Sequence, residues 1–195
     1  MVKNFDRKDL DHIRARLEMA DKQREELIKK GRDVIKLSKQ VITLVNHDEL
    51  KKASVPLKKI EAEHSRLQKL ASRSNLQHVG AFKSAVQEYV EAATFYHLMK
   101  SDKLPTVASL KVGDEHYLLG ICDLTGELVR KAFNSVINDD YKTAKDIRIF
   151  VSAIYDELSK AHYFSGELRK KYDGIKYDLR RLDDLLVELK LKGKI

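Results

Sequence analysis

The sequence has few cysteine, glycine and proline residues and no long apolar run, and each of these absences excludes a class of protein. Cys122 is the only cysteine among 195 residues, so an internal disulfide and a cysteine-rich zinc site are both excluded. Glycine and proline together account for only ten residues, too few for the frequent turns of a β-sandwich or β-barrel. The apolar run at 117–122 is far shorter than the ~20 residues that span a membrane, and the polar start does not resemble a signal peptide. We therefore expect a soluble, cytoplasmic, all-helical protein.

Length and composition favour one domain over residues 1–195. Hydrophobic residues make up 43% of the chain, enough to form a core, and charged residues make up 35%. Chains of this length usually form a single domain.

The positive charge is concentrated in the first part of the chain. Residues 1–75 contain 19 Lys and Arg against 12 Asp and Glu, whereas residues 76–195 contain 19 against 18. Phe5 is the only aromatic residue of the first segment, so this segment lacks the aromatic faces on which bases stack. If it binds nucleic acid, it should hold the phosphate backbone. A solvated, ion-paired helix surface is the alternative.

Apolar spacing predicts a bundle of six or seven helices. The predicted helices cover residues 6–46, about 48–72, 79–100, 114–137, 140–162 and 166–191, with a loop at 101–113. Asp48, Asp114 and Asp140 are the expected N-caps. Pro56 should either kink the second helix or begin a new one.

The last helix carries a heptad repeat. Its apolar positions are Leu168, Tyr172, Ile175, Leu179, Leu182, Leu186 and Leu189, spaced alternately by four and three residues. This spacing favours lengthwise packing on another helix, which could belong to the same chain or to another subunit.

Two pairs of carboxylates lie within apolar helices. Glu88 and Glu91 are spaced i, i+3 in the third helix, and Asp123 and Glu127 are spaced i, i+4 in the fourth. Each pair should lie on one helix face. Burying four unpaired carboxylates is costly, and Arg130 is the only basic residue well placed along either helix.

A divalent cation would supply the missing positive charge. Mg²⁺ and Mn²⁺ prefer oxygen ligands, and a bound metal can polarise a phosphate and activate water. Beside a basic surface, these four acids indicate a metal-dependent nuclease. Ion pairs with Lys or Arg from the basic half are the alternative interpretation.

Several motifs resemble the translin family, specifically its TRAX-like (translin-associated factor X) branch. They are residues 87–92 (Gln-Glu-Tyr-Val-Glu-Ala) and 117–128 (Tyr-Leu-Leu-Gly-Ile-Cys-Asp-Leu-Thr-Gly-Glu-Leu). Weaker similarities are found at 24–33, at 134–141 and at 168–178, the last being closer to translin. The compact chain and its mixed features suggest a prokaryotic or archaeal member.

The resemblance implies a fold and an activity. The family fold is a seven-helix bundle that assembles into hollow octameric barrels around nucleic acid. TRAX-like subunits are Mg²⁺-dependent endoribonucleases for single-stranded RNA. Their acidic residues correspond to Glu88, Glu91 and Asp123, and Glu127 matches the second acid of the same motif. These four are the expected catalytic and metal-binding residues, with Mg²⁺ or Mn²⁺ as cofactor.

The expected partner is single-stranded RNA, with single-stranded DNA as a further possibility, and a homo-oligomer resembling the octameric barrel is expected. The candidate phosphate-binding residues are Arg24, Lys29, Arg32, Lys36, Arg66, Lys69 and Arg73. A translin-like binding oligomer without catalysis is the alternative, in which the four acids form structural ion pairs.

Overall fold

A computed structural model describes residues 6–160 and 166–195. Within these residues the fold is all-α, as predicted, and contains seven helices. They are α1 (Arg7–Asn46), α2 (Leu50–Arg73), α3 (Gly80–Ser101), α4 (Val107–Leu110), α5 (Asp114–Ile137), α6 (Tyr141–Ser159) and α7 (Gly166–Leu191). None of the described helices combines the length and apolar character needed to cross a membrane.

The central elements of the bundle are α3 and α5. Helix α3 packs against α1, α2 and α5, while α5 also packs against α6 and α7. Helix α3 is buried around most of its circumference, from Phe82 to Leu98. A side chain that reaches solvent from the middle of α3 or α5 is therefore an exception to the surrounding core.

The heptad positions of α7 pack inside the chain. Leu168, Tyr172, Ile175, Leu182 and Leu189 are buried, and α7 lies against α5 and α6. Of the two partners that the repeat allowed, the structure shows the intrachain one.

Only the C-terminal half of the long first helix is buried against the rest of the bundle. Burial in α1 begins at Leu27, although the apolar spacing extends back to Leu10. Leu17 and Met19 are 61% and 63% exposed. The N-terminal half of α1 therefore extends beyond the bundle and presents apolar side chains to solvent.

The structure adds detail to several predicted boundaries. The predicted loop contains the one-turn helix α4, whose N-cap Thr106 accepts a hydrogen bond from the Ser109 amide at 3.1 Å. Helix α2 continues through Pro56, so no new helix begins there. Helix α6 ends at Ser159, and the predicted end at residue 162 lies outside the described residues.

Two of the three predicted N-caps were wrong. Glu49 occupies the cap position of α2, while Asp48 has a left-handed backbone conformation and bonds the buried Lys131 at 2.5 Å. Asp114 is the first residue of α5 and follows the cap Gly113. Asp140 caps α6 as predicted, accepting from the Thr143 amide at 3.1 Å.

Candidate functional site

Helix α3 presents two carboxylates from an otherwise buried surface. Between Ala85 and Tyr96, every residue is buried except Glu88 and Glu91, which are half-buried. Because they are spaced i, i+3, both side chains leave the helix on the same side. This is the arrangement that the sequence predicted.

A glycine brings α5 close to α3 next to the carboxylates. A Cβ atom added at Gly120 would lie 2.6 Å from Cβ and Cγ1 of Val90, closer than two carbon atoms can pack. Gly120 therefore allows the two helices to approach each other. Asp123 and Glu127 follow at i+3 and i+7 on the same face of α5, opposite the α3 carboxylates.

The four carboxylates form one electrostatic cluster, which we call the carboxylate cluster. The pKa of Glu91 is raised to about 8, mainly because the side chain is buried. The negative charges of Asp123, Glu88 and Glu127 add to this rise. Burial also raises the pKa of Glu88 and of Asp123. The structure thus brings together the four residues that the sequence selected.

Two polar partners of the carboxylate cluster come from distant parts of the chain. Lys171 of α7 donates from Nζ to both carboxylate oxygens of Asp123, at 2.5 and 2.6 Å. The buried Asn46, at the end of α1, donates from Nδ2 to Oε2 of Glu127 at 2.6 Å. Arg130 lies 3.8 Å from the same oxygen, as its i+3 spacing predicted.

The nearby cations do not offset the effect of burial on the pKa values of the carboxylate cluster. Lys171 lowers the pKa of Glu91 and of Asp123, and Lys39 of α1 lowers that of Glu88, yet all three values remain raised. With these partners in place, the described residues contain no group of three or more Asp, Glu, His or Cys side chains arranged around one ion. The binding of a metal by these four acids remains a prediction.

Five of the seven predicted phosphate-binding residues lie on two separate surfaces, and Arg24 and Arg66 lie on neither. All seven are exposed: Arg24, Lys29, Arg32, Lys36, Arg66, Lys69 and Arg73. Four cations on α1, namely Lys29, Arg32, Lys36 and Lys39, are spaced by three, four and three residues and so share one side of the helix. We call them the α1 stripe. The stripe ends at Lys39, the cation that acts on Glu88, so it leads to the carboxylate cluster.

The α2 cations lie elsewhere. Lys69 and Arg73 line a groove of about 800 Å³ together with Lys111, Phe82 and His116. Phe82 lies on the opposite side of α3 from the carboxylates, because the six residues to Glu88 turn the helix by more than one and a half turns. Arg66 pairs with Glu63 at 2.5 Å, and Arg24 falls outside the α1 stripe.

Comparison with known proteins gives consistent matches along the chain. A model of the Translin family matches residues 22–193. A translin-associated protein X from Pongo abelii is 28% identical over 215 residues, covering 87% of this chain and 73% of that protein. The structure described as apo-NeC3PO has a TM-score of 0.86 at 22% identity, covering 96% of this chain and 97% of that one. The structure of an AfC3PO–duplex RNA complex has a TM-score of 0.80 at 27% identity, covering 94% and 97%.

Proposed function

The chain belongs to the translin family, and on that premise we propose that it is a Mg²⁺-dependent endoribonuclease acting on single-stranded RNA. The observation that carries the proposal is the grouping of four half-buried carboxylates on the closely packed helices α3 and α5, within which burial raises the pKa of Glu91 to about 8. Clustered ionisable groups with strongly shifted pKa values are characteristic of functional sites.

The donor set suits a hard divalent cation. Glu88, Glu91, Asp123 and Glu127 would hold Mg²⁺ or Mn²⁺, because carboxylate oxygens are the ligands these ions prefer. The pKa of three of these groups stays raised because burial outweighs the effect of the nearby cations, and a divalent cation would favour their ionised forms. When bound, the metal would supply Lewis acidity toward a phosphate oxygen and toward water.

The chain's own residues would bind and orient the RNA strand. The α1 stripe offers consecutive cations that lead to Glu88, so it can hold the phosphates that precede or follow the scissile one. Lys171 lies beside Asp123 and can hold a phosphate at the carboxylate cluster itself. The exposed Lys69 and Arg73, on the far side of α3, could contact only a more distant part of the strand.

Metal dependence is the first expected result. Purified protein should cleave an end-labelled single-stranded RNA in Mg²⁺ and in Mn²⁺, and cleavage should stop in EDTA. Metal should also raise the melting temperature of the protein, because a ligand that binds only the native state stabilises it. RNA binding without cleavage in every buffer would contradict the proposed activity.

One observation favours a second candidate, a translin-like oligomer that binds single-stranded RNA or DNA without cleaving it. Both oxygens of Asp123 are already bonded to Lys171, as a structural ion pair would be. Metal should then leave the melting temperature unchanged, and replacing an acid of the cluster should destabilise the bundle.

The α1 stripe should determine how RNA binding depends on salt. Replacing Arg32 and Lys36 together by alanine should weaken binding and lower the slope of log K against log salt by about 1.4, or ~0.7 for each phosphate that the variant no longer neutralises. The matched control replaces Lys142 and Lys145, two exposed cations of α6, and should leave the slope unchanged. If replacing Lys69 and Arg73 has the larger effect, the RNA strand instead binds at the groove that these two residues line.

We extend the proposal to assembly, with a homo-oligomer such as the octameric barrel as the expected form. The exposed apolar side chains Leu10, Leu17 and Met19 on the projecting half of α1 support self-association, since such patches mark interaction surfaces. Light scattering on the purified protein measures the mass, and a monomeric mass would contradict this extension.

A further inference from the structure

A second concavity, between α5 and α7, adjoins the carboxylate cluster. This α5–α7 groove has a volume of about 360 Å³. Its lining includes Asp123, Gly126, Lys171, Gly174, Tyr177 and Asp178. Asp123 and Lys171 belong to the groove and also form the ion pair at the carboxylate cluster. The groove and the carboxylate cluster therefore share these two residues.

Two glycines keep this groove open. Gly126 and Gly174 lie inside helices, where glycine is an unfavourable residue. Neither has a positive φ, and a Cβ added at either would meet nothing within 4 Å. Neither backbone conformation nor close packing therefore requires glycine at these two positions. At Gly120, by contrast, close packing against Val90 does require it. Their effect on the structure is the free space between α5 and α7.

The aromatic ring of Tyr177 lies at the groove. Tyr177 is 72% exposed and lies outside the heptad positions of α7. Nucleobases stack on exposed aromatic rings largely irrespective of base identity. Because the basic N-terminal segment lacks aromatic residues apart from Phe5, it offers no comparable stacking surface.

Asp178 and Lys171 provide the groove with hydrogen-bonding groups. Oδ2 of Asp178 accepts from the Thr125 hydroxyl at 2.7 Å, which orients the carboxylate, and the second oxygen can accept from the amino group of a base. Lys171 uses two donor directions on Asp123, and an ammonium has three. The third can reach a phosphate oxygen.

We propose that the α5–α7 groove binds one nucleoside of the RNA strand, with its base stacked on Tyr177 and its phosphate held by Lys171. This inference rests on the proposed function, since it identifies how the RNA would be oriented beside the carboxylate cluster. Asp178 would favour bases that carry an amino group, namely adenine, cytosine and guanine over uracil.

Binding of a fluorescein-labelled single-stranded RNA, measured by anisotropy in EDTA at one fixed salt concentration, tests the groove without cleavage. Tyr177→Ala and Tyr177→Leu should each weaken binding about tenfold, the loss expected for one base–aromatic stack. Tyr177→Phe keeps the ring and should bind as the wild type does. Asp178→Asn should reduce the preference for oligoadenylate over oligouridylate.

Filling the groove provides an independent variant. Gly174→Leu places a side chain in open space within a helix, so the protein should fold and melt at or above the wild-type temperature while binding RNA about tenfold more weakly. Gly80→Leu is the matched control, because Gly80 also has nothing within 4 Å but lies at the start of α3. It should bind normally.

The outcomes separate the groove from the nuclease activity. Weaker binding by Tyr177→Ala and Gly174→Leu, in a protein that never cleaves, would support the groove and contradict the nuclease. Normal binding by both variants, in a protein that cleaves, would overturn the groove alone. A change in oligomeric mass with unchanged RNA affinity would also overturn it and assign Tyr177 to a subunit interface. No RNA binding by the wild type would overturn both.

Discussion

Glu91→Gln is expected to abolish RNA cleavage and, in metal-free buffer, to make the protein more stable. The substitution keeps the shape of the side chain but removes its charge and its ability to bind a metal or accept a proton. Loss of such a group typically lowers the rate by about 10²-fold or more. Stability should rise because the raised pKa of Glu91 shows that its ionised form is disfavoured in the folded protein.

The gain in stability should depend on pH in a defined direction. The pKa of Glu91 is about 8 in the folded chain, against an ordinary value of 4.5. Between these values the native state holds a proton that the unfolded state has released, so wild-type stability falls as pH rises through this window. The advantage of Glu91→Gln should be small at pH 5 and should reach the order of 3 kcal/mol at pH 8.

Urea unfolding of both proteins at pH 5 and pH 8, in EDTA, measures this difference. Glu157→Gln is the control, since Glu157 forms an exposed pair with Lys160 on α6. Its effect should stay within about 0.5 kcal/mol at both pH values, with normal cleavage. If Glu91→Gln were instead less stable and still cleaved RNA, Glu91 would be a structural residue and the nuclease proposal would be wrong.

How much of this site the sequence could reveal depends on the distance between partners along the chain. Glu88 with Glu91, and Asp123 with Glu127, are separated by three and four residues, so helical spacing alone placed each pair on one face. Glu127 with Arg130 was predicted for the same reason and is confirmed at 3.8 Å. Apolar surroundings then indicated that the acids were at least partly buried.

The partners that the sequence did not indicate are distant along the chain. Lys171 bonds a residue 48 positions away and Asn46 one 81 positions away. The charge distribution along the sequence indicates counter-charges from the basic N-terminal half, whereas Lys171 belongs to the last helix. Asn46 was predicted to end a helix, which it does. Its side chain also donates a hydrogen bond to Glu127 of the carboxylate cluster. Only the packing of α1 and α7 around α5 brings these groups together.

The errors in the helix caps have a similar origin. Asp48 has the residue type and position of an N-cap, yet its carboxylate bonds the ammonium of Lys131, 83 residues away. Lys131 is only 4% exposed, and a buried ammonium without a partner would be costly. The tertiary requirement therefore outweighed the local capping preference, which is worth about 1 kcal/mol.

Gly120 is the residue whose replacement should most directly separate the two halves of the carboxylate cluster. In Gly120→Ala the added Cβ would lie 2.6 Å from two atoms of Val90 and 3.1 Å from the Gln87 carbonyl oxygen. Overpacking of a core costs about 1–3 kcal/mol, partly offset by the ~1 kcal/mol by which alanine favours a helix over glycine. Relief of this clash requires α5 to move away from α3.

That movement should affect cleavage more than stability. Asp123 and Glu127 move with α5, while Glu88 and Glu91 stay with α3. A displacement of about 1 Å at a catalytic site can lower the rate 10²-fold. Gly120→Ala should therefore fold, melt at a lower temperature and cleave RNA about 10²-fold more slowly. Single-turnover cleavage and thermal melting of the same preparation measure the two effects.

Two further variants identify helix separation as the cause. Gly80→Ala, at the start of α3 with nothing within 4 Å, should melt at or above the wild-type temperature and retain cleavage. Adding Val90→Gly to Gly120→Ala transfers the missing Cβ from α5 to α3, so the double variant should recover part of the activity. Because the two positions touch each other, the recovery should appear as non-additivity. Additive losses would mean that Gly120 does not set the distance between the carboxylate pairs.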